Sequence, residues 1–239
     1  ANTSVTYSGV AQTNSAATVA GLKNSDSFTI SGYGTGTNYS ASAYADTLLA
    51  TPAAGTLASN YNISYTNGGL SIGKANATVT ANSANVTYTG LAQSVSGFTA
   101  TGLVNGETTT VLTGVTASGA TGTNAATYTN TVTGTDSNYN LTLVNGSMVI
   151  GKATLNVTGA NTSVTYSGVA QTNSAATVAG LKNSDSFTIS GYGAGTNYSA
   201  TAYADTLLAT QASGTLASNY NISFTGTNQL ICHGNCIDT

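Results

Sequence analysis

The sequence predicts a mainly β protein: three tandem small β-rich domains arranged as an elongated rod, followed by a short two-cysteine tail. Three observations point there. A pattern recurs with a period of about eighty residues, 81 from Tyr7 to Tyr88 and 78 from Tyr88 to Tyr166, a length that suits a small domain and is too long for one coil of a β-helix. Thr, Val, Ile and Tyr recur at fixed places with no sustained helical period, which favours strands. The only two cysteines, Cys232 and Cys236, follow the last repeat directly. A β-sandwich-like unit or a β-helical stalk are the alternatives for the same composition.

The repeats are exact enough to set boundaries. Residues 1–64 match residues 160–223 except at Thr35/Ala194, Ser42/Thr201, Pro52/Gln211 and Ala54/Ser213. The middle unit is more divergent but keeps the frame. Each unit opens on Tyr-Ser-Gly or Tyr-Thr-Gly (Tyr7, Tyr88, Tyr166), and Gly-Leu follows at Gly21, Gly102 and Gly180. An acid comes five residues after that glycine, at Asp26, Glu107 and Asp185. A later Ser-Asn-Tyr phrase carries Tyr61, Tyr139 and Tyr220. The expected domains are residues 1–74, 75–152 and 153–231, with residues 232–239 as the tail.

Within a unit, short strands are expected at residues 5–7, 17–19, 28–30 and 39–44. Asn67-Gly68-Gly69 and Asn145-Gly146 stand between alternating runs and predict hairpins, because a tight two-residue turn needs positive φ at both positions. The best helical candidates are turns at residues 23–28 and 45–50, with Asp26, Glu107 and Asp185 as caps. At the boundaries, Ile72-Gly73-Lys74-Ala75 and Ile150-Gly151-Lys152-Ala153 run from one unit's last strand into the next unit's first. There is no flexible spacer, so bending at the joints is expected to be restricted.

Composition excludes several classes of function. Charged residues make up 5% of the chain, with four Lys and no Arg. Nucleic-acid binding and a polybasic membrane patch are therefore not expected. Seven scattered acids are too few for carboxylate-rich calcium cages. No apolar run is long enough for a membrane-spanning helix, and no signal peptide is seen. The opening Ala1-Asn2-Thr3-Ser4 repeats Ala160-Asn161-Thr162-Ser163, so the chain is expected to be cut from a longer array. His233 is the only histidine, and no acid–base or nucleophilic set accompanies it. No enzymatic activity, cofactor or metal is expected.

The stretch Gly102-Leu103-Val104-Asn105-Gly106-Glu107, then Tyr128, Ser137-Asn138-Tyr139-Asn140 and Ile150-Gly151-Lys152-Ala153, resembles the MBG family of repeats. The resemblance covers essentially all three units. It implies domains related to the β-grasp fold, of the kind that recur in very large bacterial surface adhesins.

The tail resembles the cysteine hook of two-partner-secretion exoproteins of the filamentous-haemagglutinin and high-molecular-weight adhesin type. That resemblance implies a Cys232–Cys236 disulfide, with His233, Gly234 and Asn235 as the turn of the hook. It further implies an outer-membrane transporter barrel as partner, with the C-terminus held in the periplasm and the protein retained at the cell surface. An oxidising compartment and turn-forming residues between the cysteines are compatible with this. Closing so short a ring contributes on the order of 2 kcal/mol, which suits a shape-making knot better than a stabiliser. Read from the residues alone, Cys232, His233, Cys236 and Asp238 also offer a zinc site, and free thiols are a third reading.

Four further features complete the reading. Residues 51–55 form an expected exposed loop, and Ala53-Ala54 resembles the dialanine site at which periplasmic proteases release some retained adhesins. Loops 31–38 and 190–197 are the candidates for binding host or biofilm glycans. The equivalent tyrosines are expected in the core. Asn-x-Ser/Thr recurs eleven times, which in a chain this rich in Ser and Thr is only a small excess over chance.

Overall fold

The computed structural model describes residues 1–15 and 17–234. Within them the chain is made of short strands and three 3-10 turns, Ala58–Asn60, Thr109–Val111 and Ala217–Asn219, with no α-helix among the described residues. The expected helical turns resolve differently. Residues 23–26 form a tight turn closed by Asp26 N–H to Lys23 O at 3.0 Å. Residues 45–50 lie between and within the strands Tyr44–Ala45 and Leu49–Pro52.

Each repeat is organised by its first and last strands, which run parallel. In the middle repeat Ala75–Ala81 pairs in parallel with Tyr139–Val144, and Phe98–Thr101 adds antiparallel on its other edge. Further along the chain Ala84–Thr87 pairs in parallel with Gly146–Gly151. The third repeat follows the same plan. Ala153–Gly159 lies between Tyr220–Thr225 and Ala176–Ala179, and Thr162–Thr165 pairs with Asn228–Cys232. In the first repeat Asn2–Thr6 runs parallel to Gly69–Gly73, which also pairs with Tyr44–Ala45.

This topology overturns the expected hairpins. Tyr139–Val144 and Gly146–Gly151 do not pair with each other; they continue in one direction, each against its own partner. Neither Asn145 nor Gly146 has a positive φ. Gly146 is needed for a different reason: a Cβ there would lie 2.4 Å from the carbonyl oxygens of both Ala81 and Asn82. The Asn145 side chain accepts a hydrogen bond from Val132 N–H at 3.0 Å, which secures the bend from the side. At Gly68 the close approach is to the Ala1 carbonyl, 2.1 Å from a would-be Cβ.

Compactness follows a partition that cuts across the repeats. One unit comprises Ala1–Asn82, Ser96–Ser118 and Thr131–Gly146; the other comprises Ser83–Val95, Gly119–Asn130 and Ser147–Thr239. The boundary at residues 74/75 therefore falls inside the first unit and that at 152/153 inside the second. The cores reflect this. In the first unit Leu70 and Ile72 from one repeat pack with Ala75, Ala77 and Val79 from the next, closed by Tyr7, Leu112, Val115 and Tyr139. In the second, Met148 and Ile150 meet Ala153 and Leu155, closed by Tyr88, Ala120 and Tyr220. The linker strands alternate buried and outward residues along their whole length, as a half-buried strand must.

Two buried carboxylates brace the first and third repeats. Asp46 accepts from Asn14 Nδ2 at 2.9 and 3.0 Å, from Gly34 N–H at 2.8 Å and from Gly68 N–H at 3.1 Å. The Gly34 amide, with further help from Asn14 and Gly68, holds its pKa below the usual carboxylate value despite burial. Asp205 repeats the arrangement with Asn173 and Gly193. These networks pin the loops 31–38 and 190–197 at their glycines.

Candidate functional site

The residues that recur most strictly meet where one repeat joins the next. Tyr7 lies just beyond Asn2–Thr6, and its N–H extends that pairing to Gly73 O at 2.8 Å. Glu107 ends a turn in the following repeat, in which Asn105 and Gly106 take φ of 54° and 70°. Tyr139 begins that repeat's parallel strand. The three converge. Tyr7 Oη donates to Glu107 Oε1 at 2.5 Å, and Tyr139 Oη donates to Oε2 at 2.5 Å. The two rings meet edge to face at 5.4 Å and 82°. Val104 N–H donates to Tyr139 Oη at 2.9 Å, which fixes the phenol from behind.

The second unit repeats the joint with one carbon fewer in the acid. Tyr88 and Tyr220 both donate to Asp185 Oδ2, at 2.8 and 2.6 Å. Their rings meet at 5.4 Å and 78°. The chemistry is the same in both: one carboxylate accepts from two phenol donors, and such charge-assisted hydrogen bonds are strong. The phenols are correspondingly hard to ionise. Tyr7 is pushed up to about 12, first by its bond to Glu107 and then by burial. Tyr139 and Tyr220 reach about 12, chiefly through burial and then through their carboxylates. Tyr88 is raised, first by burial and then by Asp185.

Backbone contacts make the joint specific. Gly9, two residues after Tyr7, has φ +76°, and a Cβ on it would lie 2.7 Å from Asn105 Cβ. Asn105 Nδ2 donates to Gly9 O at 3.3 Å, and Asn183 Nδ2 donates to Gly90 O at the same distance. The Asn of the Ser-Asn-Tyr phrase also reaches back. Asn138 Nδ2 donates to Asn38 Oδ1 at 3.1 Å while its Oδ1 accepts from Tyr39 N–H at 2.9 Å. Asn219 does the same with Asn124 and Ala125. The opening turn itself is held by Gln12, Gln93 and Gln171, which donate to the carbonyls of Thr6, Thr87 and Thr165. Lys74 Nζ donates to Asp136 O at 2.7 Å and stands 5.2 Å over the Tyr39 ring.

The start of the tail follows the linker geometry. Ile231 is fully buried in the place of Ile72, and Cys232 takes the place of Gly73. Cys232 pairs with Thr165, and Tyr166 N–H donates to its carbonyl at 2.9 Å. His233 takes the place of Lys74 and stacks on Tyr198, the counterpart of Tyr39, at 4.2 Å. Thr165 Oγ1 donates to Gly234 O at 3.2 Å. Asn235, Cys236 and Asp238 lie outside the described residues, and with them the expected Cys232–Cys236 pairing and the remainder of the hook. Among the described residues no cluster of three metal-ligating side chains occurs.

The other expected sites disperse. Ala53 and Ala54 sit on a tight turn after Leu49–Pro52, where Ala53 N–H bonds Ser27 O and Ala53 O accepts from Thr56 N–H, both at 3.0 Å. Ala54 is exposed and Ala53 half-buried. Four of the six equivalent tyrosines, Tyr7, Tyr88, Tyr139 and Tyr220, are buried as core residues. Tyr61 is half-buried and Tyr166 is exposed. The acids are not helix caps; Asp26 too accepts from a phenol, Tyr61 Oη at 2.6 Å. Sequence reasoning missed Asn105, Asn138, Gln12 and their counterparts. Their signal was available in the fixed distances Tyr-to-Gln, Asn-to-acid and Asn-to-Tyr within every unit.

The profile of the MBG domain (YGX type) matches residues 77–149. No curated protein and no solved structure matches the chain.

Proposed function

We propose that the chain is a stalk and surface-retention module of a large secreted bacterial adhesin. Its MBG-type repeats act as spacers, and a Cys232–Cys236 disulfide loop holds the C-terminal end in an outer-membrane transporter barrel of the two-partner-secretion type. In this reading the C-terminus stays in the periplasm, the repeats stand at the cell surface, and the chain carries out no catalysis.

One observation supports the reading above the rest. The recurring polar side chains at the joints, Tyr7, Asn105 and Glu107, then Tyr88, Asn183 and Asp185, bind each repeat to its neighbour. That is what a load-bearing series of spacers requires. For the retention role, the support is that the start of the tail is held on the linker path through Cys232 and His233, with His233 docked on Tyr198. A ring closed from there starts at a fixed point on a folded body.

The test is the Cys232→Ser/Cys236→Ser variant of the full-length protein in its host. Shedding into the medium is the expected result; unchanged surface retention overturns the anchor. A periplasmic protease acting at Ala53-Ala54 belongs to the same proposal, and loss of cleavage in Ala53→Arg is its expected signature.

A further inference from the structure

The first repeat contains a cleft of about 510 Å3, lined among others by Val19, Leu22, Phe28, Ile30, Tyr61 and Ile63. We propose that this cleft is a strand acceptor, and that its occupant is an extended segment with the chemistry of the chain's own linker strands, Ala75–Ala81 and Ala153–Gly159.

The third repeat shows what covers such a cleft. There Ala153–Gly159 inserts between Ala176–Ala179 and Tyr220–Thr225 as the central strand of three. The counterparts in the first repeat are residues 17–20, identical in sequence, and 61–66, which differ only by Tyr65 for Phe224. In the first repeat neither segment is paired as a strand, and no strand lies between them among the described residues. The apolar side chains show the consequence. Val178 and Ile222 pack against a buried core, whereas Val19 and Ile63 are 42% and 40% exposed.

A second, independent sign comes from glycine. Gly102 and Gly180 sit where a Cβ would meet the linker strand, 2.9 Å from Asn76 O and 2.2 Å from Thr154 O. The equivalent Gly21 has nothing within 4 Å. The walls are nevertheless already in place. Tyr61 meets Phe28 edge to face at 5.5 Å, as Tyr220 meets Phe187 at 5.6 Å. Asp26 holds the Tyr61 hydroxyl as Asp185 holds that of Tyr220.

The register follows from the third repeat. The occupant runs parallel to residues 61–66, with its first residue opposite Tyr61, its third opposite Ile63 and its fifth opposite Tyr65. Its last four residues run antiparallel to residues 17–20. Small residues are required at the two ends, apolar ones at the third and fifth places, and polar ones between, the pattern of Ala-Thr-Leu-Asn-Val-Thr-Gly. Main-chain bonds on both edges supply affinity and the alternating side chains supply selectivity, as in other strand additions.

The experiment adds a synthetic peptide of residues 152–159 to the whole chain and follows amide hydrogen exchange. At a peptide concentration about ten times its Kd, protection across residues 17–20 and 61–66 should rise about tenfold. A peptide with Asp in place of Leu155 and Val157 should produce no protection, and Val19→Asp in the protein should abolish it. In a second arm the same peptide is fused to Ala1 through a flexible linker, which raises its effective concentration to the millimolar range. Failure of both arms to protect those residues overturns the proposal. So does protection by the Asp-substituted peptide, or a free chain already dimerised through this cleft.

Discussion

Replacing Tyr7 by phenylalanine removes one oxygen from a joint and little else. The ring stays, with its edge contact to Tyr139. What is lost is a 2.5 Å donor bond to Glu107, whose other oxygen keeps its bond from Tyr139. A hydrogen bond to a charged group contributes about 1.5–3 kcal/mol, and for a unit of about 120 residues that corresponds to a fall of about 5–15 °C in Tm. Tyr88→Phe should cost less, because Tyr88 and Tyr220 share a single oxygen of Asp185 and the Tyr88 bond is the longer at 2.8 Å. Tyr166→Phe is the control, since its ring is 48% exposed. Thermal unfolding followed by far-ultraviolet circular dichroism measures all three. A double-mutant cycle of Tyr7→Phe with Glu107→Gln isolates the pair, with an expected coupling of about 1–3 kcal/mol. If Tyr7→Phe melts with Tyr166→Phe, the joint does not stabilise the unit and the reasoning is wrong.

Two further outcomes follow from the same geometry. Tyr7, Tyr139 and Tyr220 keep their protons to about 12 in the folded chain against 10.0 for an ordinary phenol. Their contribution is therefore complete below pH 10 and is lost as pH rises from 10 to 12; a plot of unfolding midpoint against pH should fall in that window, and Tyr7→Phe should make the fall shallower. Gly146→Ala forces a methyl to within 2.4 Å of two carbonyl oxygens. It should destabilise the chain by about 1–3 kcal/mol in urea denaturation, where a residue chosen only for turn conformation would leave no such clash.

Much of the plan was legible in the sequence. The period, the β character and the frame of tyrosines and acids are properties of spacing and composition, and the structure keeps them. The joint was not legible, for a physical reason. Within a short window an acid after a turn looks like a cap, because capping is the local use of a carboxylate. The partner of Glu107 that matters, Tyr7, is 100 residues away, and no local pattern encodes that distance. Asn145-Gly146 misled in the same way. Glycine is required both by positive φ and by close backbone approach, and only the fold says which. Restricted bending was inferred from the short linkers; the core reaches further, because Leu70 and Ile72 pack with Ala77 and Val79 across a repeat boundary.

The central claim is that the boundary between the first two repeats lies inside one cooperative unit. Native-state hydrogen exchange tests it most directly, on the strands Gly69–Gly73 and Ala75–Ala81 that flank Lys74. The account predicts one shared opening free energy for both strands, lowered equally by Glu107→Gln, although Glu107 belongs to the second repeat alone. Separate opening energies, with Gly69–Gly73 indifferent to Glu107→Gln, would contradict it.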